Sequence, residues 1–128
     1  MYSMKVLLTG ILVLSFVNGQ SQKNLSMKQV KCVEMVVFRP QKNVTKDELM
    51  QAMVATNEVV KNFDGFINRS TSINEDGAFL DVVYWESKEQ ALDAASKVQQ
   101  IPEVMKNFAL IDPNSIKMQH FEVFSVQN

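Results

Sequence analysis

The chain has 128 residues, 46% of them hydrophobic and 21% charged, with four glycines and three prolines. Those proportions exclude collagen-like, Gly/Pro-rich and wholly disordered sequence, and the length suits one domain. Thirteen Lys and Arg against fourteen Asp and Glu leave a formal charge of −1, without the basic excess that nucleic-acid binding requires. One cysteine and one histidine exclude an intrachain disulfide and the usual Cys/His zinc sites, so no metal is expected.

Lys5 precedes an apolar run from Val6 to Val17, broken only by Thr9, Gly10 and Ser15. As a helix it would span about 18 Å, short of the roughly 30 Å hydrocarbon core of a bilayer. A positive start, a short apolar core and a small-residue tail make residues 1–19 a secretory signal peptide. Cleavage after Gly19, or after Ser21, is expected to release a secreted or periplasmic protein with no membrane anchor. Residues 20–29 are polar and read as a flexible arm, and 30–126 as the domain. Cys32 falls inside a strand pattern and is expected to be buried rather than paired between chains. Asn24, Asn43 and Asn68 each open an N-x-S/T triplet, which matters only in a host that glycosylates such sites.

Val30–Arg39 is rich in Val, Met and Phe and stops at Pro40, as a strand does. Thr45 with Glu48 is a capping box, and Leu49, Met53, Thr56, Val60 and Phe63 then recur at helical spacing. Gly65 stands where a left-handed cap is expected. Phe66–Ile73 reads as a second strand, closed by the hairpin signal Asp76-Gly77 before a third, Ala78–Trp85. Ser87 and Gln90 make a second capping box, followed by the small residues Ala91, Ala94 and Ala95. Pro102 opens a short helix through Phe108, Asp112-Pro113-Asn114 turns, and Ile116–Val126 is the last strand.

The order β-α-β-β-α-β is the ferredoxin-like α+β arrangement, an antiparallel sheet with two main helices on one face. A half-covered apolar sheet favours dimerisation, so the expected partner is a second copy of the chain. Gly65-Phe66-Ile67, the run Asp76–Ser87 ending in Trp-Glu-Ser, and the alanines of the following helix resemble the dimeric α/β-barrel superfamily. Within it the chain is most similar to antibiotic-biosynthesis-monooxygenase-like domains, over about Val30–Val126. The resemblance implies a small-molecule pocket between sheet and helices, and it spans oxygenases, haem-degrading enzymes and members without known activity. The sequence departs from the cofactor-free and haem-degrading patterns in two places. Glu34 occupies a first strand that lacks their asparagine, and Ser87–Gln100 lacks their axial histidine.

Strand alternation sorts the residues by face. Val33, Met35, Val37, Leu80, Val82, Phe121 and Val123 form an apolar set. The opposite set carries Glu34, Asp81 and His120 among Phe38, Phe79 and Trp85. Two carboxylates and an imidazole in apolar surroundings suit proton transfer, because burial and neighbouring charge shift their pKa values. His120, Asp81 and Glu34 are therefore the catalytic candidates, with Trp85, Phe38 and Phe79 contacting substrate. Each also has a structural reading: Glu34–His120 as a satisfied polar pair, Asp81 as a loop cap or the counterion of Arg69, Trp85 as core. Three functions follow. One is a metal- and cofactor-free monooxygenase-like enzyme acting on a small aromatic or hydrophobic substrate. The others are a non-catalytic binder of such a ligand and a structural dimer.

Overall fold

A computed structural model of the chain describes residues 27 and 29–127. The expected signal peptide, the Asn24 triplet and all of the arm but Met27 and Gln29 lie outside the described residues. Within Val30–Ser125 the β-branched and aromatic runs form four strands: β1 (Cys32–Phe38), β2 (Phe66–Ile73), β3 (Phe79–Trp85) and β4 (Lys117–Glu122). They pair antiparallel in the order β2-β3-β1-β4, which puts β1 between β3 and β4. This is the ferredoxin-like fold.

The first helix, α1 (Lys46–Val60), starts where its capping box says it should. Glu48 N–H donates to Thr45 Oγ1 at 3.2 Å, and Thr45 N–H donates back to Glu48 Oε2 at 2.7 Å. Its buried stripe is Leu49, Ala52, Met53, Thr56 and Val60. The helix ends earlier than the pattern suggested: Lys61 is its cap in ordinary helical geometry, and Phe63 lies beyond it. Gly65 keeps its left-handed φ of 82° but uses it in the turn into β2, where a side chain would collide with Gln90.

The second helix, α2 (Lys88–Val98), buries Ala91 and Ala94 against β1 and β3. Its box is half of the expected one. Gln90 N–H donates to Ser87 Oγ, but the Gln90 side chain takes the Ser87 hydroxyl rather than its backbone N–H. A short α3 (Pro102–Phe108) packs on α1. After it, a 3₁₀ turn at Pro113–Ser115 is capped by Asp112 and tied to the end of β1 through Arg39 N–H to Ser115 Oγ, 2.8 Å. The last strand is shorter than Ile116–Val126 because its partner runs out: Cys32 opposes Glu122, and Val123 N–H makes a final bond to Lys31 O.

Alternate strand residues divide as expected. Cys32, Glu34, Phe38, Phe79, Val83 and Trp85 are the buried positions of β1 and β3, and all turn toward the helices. Two clusters result. Cys32, Val83 and Trp85 pack with Val60, Ala91 and Ala94; Phe38 and Phe79 pack with Leu49, Ala52, Met53 and Ile111. On the other face no described helix covers Val33, Met35, Val37, Leu80 or Val82, and Phe121 there is 45% exposed.

Candidate functional site

Between sheet and helices lies a cavity of about 530 Å³, a size that suits a small organic ligand. Its walls are mostly apolar: Val36, Phe38, Met53, Val60, Val83 and Trp85 are among them. Its exposed lining residues are Gln99, Met105, Ala109, Ile116 and Met118, so it opens between α2, α3 and the edge strand β4. Three ionisable side chains line it, Glu34, Arg69 and Asp81.

Pairing register decides which of these meet. Glu34 of β1 stands opposite His120 of β4, and His120 Nε2 is 2.8 Å from Glu34 Oε2. An ionised carboxylate accepts there, which assigns the proton to Nε2. Glu34 Oε1 has no hydrogen-bond partner among the described residues and is not fully sealed in, and Glu34 is part of the cavity lining. His120 itself is not part of the lining; it reaches the cavity through Glu34. Burial pushes the Glu34 carboxyl above its ordinary range, and Asp81 adds to the rise, while His120 and Arg69 oppose it. Burial, with the Glu34 charge behind it, likewise raises the Cys32 thiol, which keeps that cysteine protonated and unreactive.

Asp81 belongs to a different group. Arg69 of β2 holds it bidentately, Nε to Oδ1 at 2.9 Å and Nη2 to Oδ2 at 2.8 Å. The remaining Nη1 donates to Met53 O, Thr56 Oγ1 and Asn57 Oδ1 on α1. The network clamps α1 onto the sheet and leaves neither Asp81 oxygen unpartnered. Glu34 and His120 are thus brought together, and Asp81 is drawn toward Arg69 instead.

The aromatic residues divide as well. Trp85 is 2% exposed, meets Phe66 edge-on and lines the cavity, and its indole N–H finds no acceptor among the described residues. Phe38 lines the cavity too. Phe79 stacks on Phe38 with ring centroids 5.5 Å apart and is not in the lining. Sequence reasoning missed Met105, Ile116 and Met118 as the mouth, since apolar residues at helix and strand spacing look like core. Among the described residues no group of three or more His, Cys, Asp or Glu could hold a metal ion, and no helix is long and apolar enough to cross a membrane.

Solved structures with the same architecture give this geometry a context. The monooxygenase from the gene ActVA-Orf6 of Streptomyces coelicolor, solved with nanaomycin D, aligns over 79% of this chain and 94% of its own, with 18% identity and a TM-score of 0.62. SnoaB, a cofactor-independent oxygenase of Streptomyces nogalater, aligns over 77% and 96% with 11% identity and a TM-score of 0.56. A dimeric ferredoxin-like protein from an uncultured marine organism aligns over 77% and 92%, with 14% identity and a TM-score of 0.57. No family model and no curated protein matches the sequence. The chain therefore has the fold of the antibiotic-biosynthesis-monooxygenase-like, dimeric ferredoxin-like proteins. At these identities the likeness is one of fold.

Proposed function

We propose that this is an exported homodimer whose cavity takes up a small, mainly apolar aromatic molecule, and that the Glu34–His120 pair moves a proton to or from it. The observation that carries the reading is that hydrogen-bonded pair, whose carboxylate lines an apolar cavity of about 530 Å³ and keeps one oxygen without a partner among the described residues. A carboxyl raised by burial and backed by an imidazole is a stronger proton acceptor than an ordinary carboxylate. Trp85 and Phe38 offer flat apolar surface to an aromatic ring. A monooxygenase-like reaction is the class favoured by the structural neighbours, two of which are described as a monooxygenase and a cofactor-independent oxygenase. The closed Arg69–Asp81 network favours a second reading, a non-catalytic binder, because it removes one of the two carboxylates from chemistry.

The bare sheet face around Val33, Met35, Leu80, Val82 and Phe121 supports the dimer, as does the neighbour described as dimeric. Sedimentation should give a dimer at micromolar concentration; a stable monomer contradicts it. The apolar run Val6–Val17 supports export, and intact mass from the native host should show a chain starting near Gln20.

A thermal-shift screen of neutral aromatic ligands tests the pocket. The expected result is a rise in melting temperature that Trp85→Ala abolishes; a rise indifferent to Trp85 places the ligand elsewhere. For a compound that is turned over, His120→Ala should lower turnover about 10²–10⁴-fold with little change in affinity. Equal loss of both would leave the binder.

A further inference from the structure

We infer that the cavity selects mainly apolar molecules whose polar end is a protonated amine, and discriminates against carboxylates of the same size. The inference rests on the ligand-binding reading of the cavity and deepens it. It follows from counting which charges in the lining are already answered. Arg69 and Asp81 cancel, and their polar atoms are turned to each other and to α1. Glu34 is left in the lining, with Oε2 held by His120 and Oε1 neither sealed in nor hydrogen-bonded among the described residues.

The groups around Glu34 determine what that oxygen can bind. His120 faces it from β4, Asp81 from β3 and Arg69 from β2, and Cys32 is its neighbour along β1. The helical part of the lining supplies Met53, Val60, Ala94, Val98 and Phe108 among others, and no titratable side chain. While the imidazole is neutral, it donates Nε2–H and brings no charge, so the pair is a net anion in an apolar wall. A ligand carboxylate would set a second negative charge beside it, where low dielectric strengthens the repulsion. An alcohol would donate a neutral hydrogen bond. An ammonium would donate a charge-assisted bond to Oε1 and cancel the charge. One proton added to Glu34 removes the advantage, so amine binding should weaken on acidification while alcohol binding does not.

Three probes of one shape test this by calorimetry on the mature protein: 1-naphthylmethylamine, 1-naphthylmethanol and 1-naphthoate. At neutral pH the amine should bind about tenfold or more tighter than the alcohol, the difference between a charged and a neutral hydrogen bond, with naphthoate weakest. Glu34→Gln should erase the amine's advantage and keep alcohol binding, which also shows that the variant is folded with its cavity intact. In the unmodified protein the amine-to-alcohol affinity ratio should fall from mildly alkaline to mildly acidic pH, and this readout does not depend on any variant folding. Naphthoate binding as tightly as the amine, or a ratio unmoved by pH or by Glu34→Gln, overturns the inference and leaves the cavity a ligand site. No binding by any of the three overturns both.

Discussion

The two carboxylates that face the helices, Glu34 and Asp81, share a sheet face and meet opposite fates. Asp81 is gripped bidentately by Arg69, whose remaining fork binds three acceptors on α1. Among the described residues the Glu34 side chain makes one hydrogen bond, to His120 across the strand pair, and its other oxygen is unpartnered on a side chain that lines the cavity. A buried charge whose partners are complete is structural scaffolding, because every direction in which it could act is occupied. A buried charge with one open direction is available to a ligand. The comparison teaches that the unanswered polar group lies on the β1–β4 side of the cavity, where the proposed chemistry has room and where exposed Ile116 and Met118 line the opening.

The largest effect that could break this comparison is on stability. Arg69→Ala leaves the Asp81 carboxylate buried without its cation and removes a donor from three acceptors on α1, of which Met53 O keeps the Thr56 hydroxyl. It should cost about 3–5 kcal/mol, read by urea unfolding. Replacing both members together, Arg69→Met with Asp81→Leu, should cost less than the single change, since no charge is stranded. A loss below about 1 kcal/mol for Arg69→Ala would mean the network is not the clamp it looks to be.

A smaller effect distinguishes Glu34. Its carboxyl is raised in the folded protein, so the proton stabilises the folded state. That contribution is complete below the ordinary carboxylate range and is lost as pH rises through the raised folded value. Glu34→Gln carries no such proton. Between mildly acidic and neutral pH the unmodified protein should therefore lose stability relative to the variant, seen as diverging melting temperatures. Parallel curves would show that the site does not penalise the charge.

How much of this could be read from sequence depends on the range of each interaction. The Thr45–Glu48 box and the Asp76-Gly77 hairpin are local, and both are present. Face assignment needs only alternation, and it put Glu34, Asp81 and His120 on one face; that this face meets the helices was implied by the family resemblance, since alternation does not say which face a helix covers. Register is another matter. That Glu34 lies opposite His120 depends on where β4 starts after the 3₁₀ turn, which Arg39 and Ser115 fix from a distance. The Arg69 clamp was legible as an alternative for Asp81, but its bonds to Met53, Thr56 and Asn57 depend on how α1 docks. Phe79 shares a face with the site and still misses the cavity, because Phe38 stacks on it.

The chain has one histidine and one tryptophan, so the two ring nitrogens of His120 and the indole nitrogen of Trp85 are each assigned without ambiguity in untagged, labelled protein. Titrating 1-naphthylmethylamine or 1-naphthylmethanol while following these and the Arg69 Nε–H signal tests the central claim most directly. The account predicts that ligand moves His120 and Trp85 and leaves Arg69 in place, still bonded to Asp81. A shift confined to Arg69, with His120 unmoved, would contradict it and put the ligand on the side of the cavity described here as closed.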